Sequence, residues 1–476
     1  MSTLSDHAPL LERAFSFVPA EGDYRIDDVE GEVPAFLRGS YYVNGPARFF
    51  RGDLRYGHWL DGDGMVCALH FDGQGGVRFV NRFVRSTKRN AEEAAGAPLF
   101  RAFGTAFPGD QLKRGIGLES PVNVSVYPAA GTLLAFGEQG LPWELDPVTL
   151  ETRGEFTFGG RLNAISPFSA HPKADLDTGE LFNFGVSFSA RHPCVHLYRF
   201  DAAGESVYRK RLPLDLPRSV HDFSLSPSYA VIYLSPYVLD MEPLMAGTGT
   251  LMDALRWQPD LGSKLLLARR EDGEPVAEIA IGDRYCLHLI NSFERPDGHL
   301  VVDVVELDQP VYDQYLVPEL FPEVRTSEPV RFVIDPAAGK LVARQPLPFH
   351  LMCDFPAIDP RRAEQETHDF WVLAISATDQ PGRKFFDQVV HLSWPDGGVA
   401  GVYQAPPHCY LGGEPVFLPD PANPGAGAVI CQQLNADAGT SAFLIFDAFN
   451  LAAGPVATLH LHSPVHLAFH ACYHPA

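Results

Sequence analysis

The segment FFDQVVHLSWPDGG, residues 385–398, shows the pattern that decides the fold. A run rich in aromatic and β-branched side chains is followed at once by Pro395-Asp396-Gly397-Gly398. Such a run suits a half-buried strand, and proline, aspartate and glycine together favour a tight turn. The segment therefore predicts one strand and the turn that follows it.

The same alternation of strand-like runs and turns recurs along the chain. Turn clusters lie at residues 61–64, 296–298 and 419–421. Further strands are predicted at residues 77–84, 132–137, 229–235, 300–307, 370–376, 428–434, 442–446 and 456–462. Helical periodicity is confined to two short stretches, residues 91–97 and 250–257. Because there is no clean internal repeat and no compositional break, this pattern predicts one all-β domain over residues 1–476.

Composition narrows the possible partners and the compartment. The formal net charge is -22, so the chain should be repelled by phosphate backbones, and nucleic acid is not expected as a partner. The seven cysteines include no CxxC pair, which predicts reduced, mostly buried thiols in a cytoplasmic protein. Residues 233–255 are a candidate surface for peripheral membrane contact, although a buried strand and loop would give the same composition.

Histidine is the residue type that suggests chemistry. The chain has no GxGxxG, Walker A, HExxH or GxSxG motif. Four of its 18 histidines stand at the edges of apolar or strand-like runs: His171, His221, His288 and His470. Their separations of 50, 67 and 182 residues are wrong for a zinc finger but suit ligands from separate blades of a ring. Spacing alone does not distinguish four histidines that share a metal site from four histidines with unrelated positions in the fold.

The segments around these histidines resemble the carotenoid cleavage oxygenase family over nearly the whole chain. The matching motifs follow in the family's order: Asn44-Gly45-Pro46, HWLDGDGM at 58–65, Ala170-His171-Pro172-Lys173, His221-Asp222-Phe223, residues 288–294, Gly413-Glu414-Pro415-Val416-Phe417 and Phe469-His470. One such motif would be weak evidence, whereas the ordered set is specific.

The resemblance implies a seven-bladed β-propeller with a cap of loops and short helices over one Fe(II). By the match, His171, His221, His288 and His470 would bind the iron, and O2 would be the co-substrate. Three carboxylates would hold the outer N–H groups of these imidazoles: Glu138, Asp354 and Glu414. Asp354 departs from the glutamate usual in the family. Because aspartate is one methylene shorter, its histidine must lie closer or be reached through water.

The activity implied by the resemblance is oxidative cleavage of a carbon–carbon double bond to two carbonyl products. Phe49, Phe103 and Phe469 would form an aromatic wall suited to a lipophilic polyene, with ordinary core packing as the other interpretation. Family members that cleave hydroxystilbenes or alkenylphenols resemble one another in gripping the phenol oxygen with a tyrosine and a lysine. This chain has Phe103 and Gly137 at those positions. A carotenoid or apocarotenoid is therefore the favoured substrate.

Three other functions remain open at this point. A stilbenoid or alkenylphenol would need a different group to bind its phenol. The family also includes a non-oxidative retinyl ester isomerohydrolase. A propeller that binds a lipophile without turnover is the non-enzymatic alternative, and the presence of all four histidines argues against it.

Overall fold

The strands of this protein are arranged as a ring of antiparallel sheets. The computed structural model describes residues 12–113, 117–187, 189, 191–240, 242–243, 246–247, 249–318, 320–376 and 385–476. Within these residues, strands form seven sheets of four or five strands and two short ribbons. Apolar clusters fill the spaces between neighbouring sheets. The all-β, seven-bladed propeller expected from the sequence is confirmed.

Each blade is numbered in ring order, and its strands are given from the propeller axis outward. They are Ala471–Pro475, Arg38–Pro46, Gly64–Asp72, Val77–Phe83 and Gly22–Arg25 (blade 1); Ser125–Ala129, Thr132–Phe136, Trp143–Leu145 and Thr152–Glu155 (blade 2); Lys173–Ala174, Leu181–Ser187, Cys194–Phe200 and Ser206–Pro213 (blade 3); Phe223–Leu225, Tyr229–Leu234, Ser263–Arg269 and Pro275–Gly282 (blade 4); Tyr285–Glu294, Leu300–Leu307, Ser327–Asp335 and Lys340–Pro346 (blade 5); Cys353–Ala357, Asp369–Ala374, Gln388–Ser393 and Gly398–Gln404 (blade 6); and Cys409–Pro419, Gly427–Asn435, Thr440–Asp447, Ala457–His460 and Val29–Gly31 (blade 7).

Strands from both ends of the chain close the ring. Ala471–Pro475 pairs with Arg38–Pro46 in blade 1, and Val29–Gly31 pairs with Ala457–His460 in blade 7. The Asn44 N–H donates to the His470 carbonyl at 3.0 Å, at the point where the closing strand begins. Closure of the ring therefore fixes the position of His470 as well as the edges of the sheets.

The predicted strands all fall on observed strands, with ends that differ by a few residues. The helix predicted at 91–97 begins earlier, as Thr87–Ala95, because Ser86 caps it: its hydroxyl accepts from the Arg89 N–H at 3.2 Å. The helix predicted at 250–257 is wrong in its second half. Only Leu251–Ala254 is helical, and Leu255–Trp257 pairs with Tyr237–Leu239 as a ribbon.

The first part of the segment considered for membrane contact is buried, but Glu242 is exposed and Leu251 and Met252 are half-buried, so membrane contact stays a prediction. Tyr233, Tyr237 and Leu239 are all buried, since they pack into the apolar clusters rather than forming an outward patch. Residues 241, 244, 245 and 248 of the segment lie outside the described residues. In the described part of the chain, no helix has the length and apolar character that crossing a bilayer would require.

A cap of short elements covers one end of the propeller axis. It includes the two helices, the ribbon at 237–257, the ribbon of Phe50–Arg51 with Leu54–Arg55, and the 3-10 turns Trp59–Asp61 and Tyr312–Gln314. The other 3-10 turns of the described chain are Pro259–Leu261, Pro360–Arg362 and Leu451–Ala453. The helix Thr87–Ala95 is held to the cap by buried charges. Lys88 Nζ lies 3.1 Å from Asp63 Oδ1 and 2.8 Å from Glu92 Oε2. Arg51 also bonds to both carboxylates.

Replacing Lys88 by Met should lower the free energy of unfolding by about 3–5 kcal/mol, because it leaves buried carboxylates without one of their cations. Lys264→Met is the matched control. Lys264 pairs with Asp215 at 3.0 Å but is partly exposed, so its loss should cost at most about 1 kcal/mol. Urea denaturation of the two variants compares these costs, and equal losses would contradict a special role for the buried network.

Candidate metal centre

Four histidines from four blades meet at the propeller axis. His171, His221 and His470 lie just before the innermost strands of blades 3, 4 and 1, and His288 lies within that of blade 5. The possible ligand nitrogens of the four residues all lie within 4.8 Å of one another. His221 Nε2 is 2.9 Å from His171 Nε2 and 3.2 Å from His288 Nε2. The structure therefore brings all four predicted ligands together.

Side chains of the matched motifs hold the backbone around the histidines. Asn44 is fully buried, and its amide donates to the carbonyls of Val122 at 3.1 Å and Ser125 at 2.9 Å. The Ser125 hydroxyl in turn donates to the carbonyl of Ala170, the residue before His171. The closing blade is thus linked to the first histidine through two buried polar side chains.

Three carboxylates contact the outer ring nitrogens of three histidines. His221 Nδ1 lies 2.8 Å from Glu138 Oε1, His288 Nδ1 lies 2.6 Å from Asp354 Oδ1, and His470 Nδ1 lies 3.5 Å from Glu414 Oε2. A carboxylate at Nδ1 fixes the tautomer that carries its proton there, which leaves the Nε2 lone pair facing the centre. The three predicted carboxylates are therefore placed to orient three imidazoles.

Asp354 reaches its histidine directly in spite of its shorter side chain. The strand Cys353–Ala357 shifts register against its neighbour between Asp354 and Ala357. Phe355 takes a φ of 56°, a left-handed conformation that is unfavourable for an aromatic residue. Beside this local distortion, Asp354 Oδ1 contacts His288 Nδ1 directly at 2.6 Å, so no bridging water is needed.

Sequence reasoning assigned no role to Asp222 or Lys173. Asp222 Oδ1 lies 3.7 Å from His171 Nδ1, and the Lys173 ammonium lies 2.8 Å from the same oxygen. The other oxygen of Asp222 accepts from the Leu289 N–H at 2.9 Å. Burial would raise the pKa of Asp222, but Lys173 and His288 outweigh it and lower that pKa. An ionised carboxylate therefore accompanies the fourth histidine, and its signal in the sequence was its place directly after His221.

Burial controls the charge of the histidines. It lowers the pKa of His171 well below the usual value, and the neighbouring histidines add to this effect. Burial also lowers the pKa of His470, although Glu414 opposes the change. At His288 burial acts in the same direction, but Asp354 outweighs it and raises the pKa. His171 and His470 are thus held neutral, which is the form of imidazole that binds a metal.

The donor set fits a divalent first-row transition metal. Imidazole nitrogen suits iron, copper, nickel and zinc, whereas magnesium and calcium prefer oxygen. Glu138 Oε2 and Asp354 Oδ2 are buried and have no hydrogen-bond partner among the described residues. A divalent cation on the four histidines would offset this uncompensated negative charge. His171, His221, His288 and His470 are therefore the residues that would hold it.

Aromatic side chains cover the histidines on the cap side. The Phe355 ring lies 5.4 Å from His288 and 5.2 Å from His470. Phe469 packs on Trp59 at 4.3 Å, and both are buried. Trp59 Nε1 and the Tyr315 hydroxyl are buried in the same cluster without a hydrogen-bond partner among the described residues. The cap therefore combines an apolar surface with two unused polar donors.

The three phenylalanines of the predicted substrate wall lie at different distances from the centre. Phe469 directly precedes His470. Phe103 packs on His58 at 4.9 Å and on Tyr312 at 5.2 Å, within the cap. Phe49 packs on Phe15 at 4.9 Å and on His466 at 5.1 Å. All three belong to or border one apolar cluster, and their contact with substrate stays a prediction.

His58 of the matched motif supports the cap rather than the metal centre. It is fully buried, its Nδ1 accepts from the Leu60 N–H at 3.0 Å, and its Nε2 lies 2.9 Å from the Tyr312 carbonyl. These contacts require a neutral ring that donates from Nε2. Burial lowers the pKa of His58 from 6.5 to about 4.

A buried neutral histidine makes stability depend on pH. Between pH 6.5 and 4 the unfolded chain takes up a proton at residue 58 and the folded chain does not, so stability is lost as the pH falls through this window. The advantage of wild type over His58→Asn should therefore shrink by roughly 3 kcal/mol between pH 7 and pH 4. Urea unfolding at both pH values measures it, and a constant difference would show that the ring can be protonated in the fold.

Comparisons with known proteins agree with this geometry. The sequence model described as Retinal pigment epithelial membrane protein (RPE65) matches residues 15–475, nearly the whole chain. The chain belongs to the RPE65/carotenoid cleavage oxygenase family. It is an alkene-cleaving oxygenase of the carotenoid oxygenase type.

Several family members resemble the chain along most of their length. It is 29% identical to the apocarotenoid-15,15'-oxygenase of Synechocystis sp. over 473 residues, 95% of this chain and 94% of that one. It is 28% identical to the isoeugenol monooxygenase of Pseudomonas putida over 94% of each chain. It is 29% identical to resveratrol cleavage oxygenase 1 of Aspergillus fumigatus, over 90% of this chain and 89% of that one. At this level of identity the substrate differs among relatives.

The fold is matched by solved structures. The crystal structure of cobalt-substituted Synechocystis apocarotenoid oxygenase superposes with a TM-score of 0.89 at 27% identity, covering 98% of this chain and 99% of that one. A chimera of that oxygenase with RPE65 gives a TM-score of 0.88 at 26% identity with the same coverage.

Proposed function

We propose that this protein is a non-haem Fe(II) dioxygenase that cleaves a carbon–carbon double bond of a carotenoid or apocarotenoid with O2. The observation that carries the proposal is the cluster of four histidines with ligand atoms within 4.8 Å of one another, three of them held by carboxylates. Bound there, Fe(II) would supply the activation of O2. Four neutral ligands leave such an ion its full charge and room for oxygen or substrate beside it.

The residues of the chain position the reactants and exclude water. Cleavage of a double bond by O2 places one oxygen atom on each carbon and needs no net proton, so no acid–base residue is required. Phe355, Phe469 and Trp59 would hold a planar polyene against the metal and keep the site dry. Asp354, Glu138 and Glu414 would keep the imidazoles aimed while the substrate binds.

The favoured substrate class rests on two positions. Gly137 directly precedes Glu138, and a Cβ added there would lie 2.0 Å from Ser120 Oγ and 3.3 Å from the Val122 backbone. A lysine at this position would therefore need Ser120 to move, and the chain has no cation there to stabilise a phenolate. Phe103 has no hydroxyl to offer either. Both features favour a polyene over a phenol, as does the similarity to the apocarotenoid oxygenase of Synechocystis.

A stilbenoid or alkenylphenol is the second candidate. The specific observation in its favour is the pair of unpartnered buried donors, Trp59 Nε1 and the Tyr315 hydroxyl. Buried donors without partners are costly, and a substrate oxygen would satisfy them. Relatives named for isoeugenol and resveratrol show that the family includes enzymes for such compounds.

Product analysis decides between the two. Iron-loaded enzyme is offered apocarotenals, β-carotene and resveratrol in air, and the products are identified by mass spectrometry. Shortened apocarotenoid aldehydes are expected, and their masses place the bond that is cut. Hydroxybenzaldehydes would favour the second candidate, in which Trp59 and Tyr315 would bind the phenol oxygen. Protein that holds no iron and gains none from anaerobic Fe(II) would overturn both.

A further inference from the structure

A channel of about 810 Å³ follows the propeller axis away from the cap. Residues from the innermost strands of all seven blades line it, among them Tyr127, Leu225, Ile290, Ala357 and Val416. His171, His288 and His470 form one end of the channel. Leu176, which is 68% exposed, lies at the other. The channel therefore connects the histidines with the propeller face opposite the cap.

The histidines are open to solvent through the channel but are covered by packed side chains on the cap side. On the cap side, Trp59, Phe355 and Phe469 are each at most 4% exposed and pack closely against one another and the histidine rings. We propose that the axial channel is the route by which the divalent metal ion reaches and leaves the histidines, separate from the cap side on which the proposed function places the substrate. The proposal rests on the metal-binding part of the proposed function and not on the identity of the substrate.

The charges along the channel suit a cation. Asp175 and Glu364 line its outer part, and Asp222 and Glu414 line it beside the histidines. Against these four carboxylates stand two cations: Arg270, which bridges Asp175 and Glu364, and Lys173, which pairs with Asp222. The remaining negative charge would concentrate divalent cations in the channel. These carboxylates lie between the opening of the channel and the neutral imidazoles. A hydrated ion that enters the channel can therefore bind them weakly, one after another, before it reaches the histidines.

Lys173 lines the channel next to the metal centre. Its ammonium is 2.8 Å from Asp222 Oδ1, and its side chain is 32% exposed and lines the channel. It therefore places a positive charge between the outer opening and His171. Replacing Lys173 by Met should raise the rate of metal uptake by on the order of 10-fold, because Asp222 then faces the passing ion alone. Lys264→Met is the matched control, because this lysine is also partly exposed (27%), pairs with Asp215 and is not part of the channel lining.

A reversible plug tests the route directly. All seven cysteines are free thiols; six are buried, and the seventh, Cys472, is partly exposed and lines the channel. Leu176→Cys in a Cys472→Ser background places one reactive thiol at the opening. A bulky methanethiosulfonate reagent attached there blocks the channel and is removed by reductant. The full-length protein, stripped of metal by a chelator, is then mixed with Co²⁺, and uptake is followed by the visible absorbance of the bound ion.

The plug should slow both Co²⁺ uptake and chelator-driven loss by roughly 10-fold or more, and reductant should restore both rates. Cleavage by enzyme loaded before the plug is attached should be unchanged. A rate of Co²⁺ uptake that is unchanged both by the plug and by Lys173→Met would overturn the proposed route. Slower cleavage with unchanged uptake would also overturn it, since the channel would then carry O2 or substrate. The plug could change the metal kinetics as expected in a protein that cleaves no alkene. That result would contradict the proposed function but support the metal route.

Discussion

Replacing His288 by Ala should abolish both stable metal retention and double-bond cleavage. His288 supplies one of four clustered ligand nitrogens, and its loss also leaves Asp354, which is fully buried, without its imidazole partner. Loss of a carboxylate that only orients a metal-binding histidine costs about 10–100-fold in metal affinity or activity. Loss of the histidine itself should therefore cost at least roughly 100-fold. Metal content after dialysis against a chelator and product yield by mass spectrometry measure the two effects.

His391→Ala is the matched control for this variant. His391 is also a buried imidazole that contacts a carboxylate, with Nε2 2.8 Å from Asp369 Oδ1, but it stacks on Trp371 in blade 6 and is not part of the histidine cluster. Its loss should reduce stability and leave the metal in place. A His288→Gly variant adds a second readout, because free imidazole can occupy the space and restore part of the metal binding. Full metal content and normal turnover in His288→Ala would contradict the ligand assignment.

The sequence predicted the outer parts of the blades better than the strands at the axis. Residues 300–307 were predicted with the observed bounds because a long apolar run between two turns is typical of a buried strand. Lys173–Ala174 and Phe223–Leu225 are too short to show any periodicity. They are strands because each pairs with the next strand of its own blade, which the sequence of a two- or three-residue segment does not reveal. The ribbon strand Leu255–Trp257 was missed for a different reason, since its partner Tyr237–Leu239 is distant in sequence.

The candidate site shows a similar division. The four histidines and three carboxylates could be predicted because the order of family motifs carries them. Asp222 and His171 lie in two of the matched motifs, but their contact joins residues 51 positions apart, and neither motif indicates it. The direct contact of Asp354 with His288 stands beside a left-handed φ at Phe355, and no residue type in that segment indicates either feature. The motifs therefore identified the ligands. The distances between them, which determine their pKa values, could be read only from the folded structure.

Asp354→Asn should lower metal affinity by about 10–100-fold while changing the stability of the metal-free protein little. The amide keeps the size of the carboxylate, and its oxygen can still accept from His288 Nδ1 and from the Phe355 N–H, which now donate to Asp354 Oδ1 at 2.6 and 2.9 Å. The amide nitrogen would occupy the place of Oδ2, which has no partner among the described residues. The main change is therefore the loss of the negative charge that makes His288 a stronger ligand.

Two comparison variants separate charge from packing. Asp354→Glu keeps the charge but adds a methylene at a fully buried position where the contact is already short, so it should destabilise the metal-free protein by about 1–3 kcal/mol. Glu414→Gln removes a charge from the longer contact of 3.5 Å with His470, so its loss of affinity should be smaller than that of Asp354→Asn. Chelator competition with Co²⁺ measures affinity, and thermal unfolding of the metal-free proteins measures stability. A larger loss for Glu414→Gln, or wild-type affinity in Asp354→Asn, would show that the 2.6 Å contact does not tune the ligand.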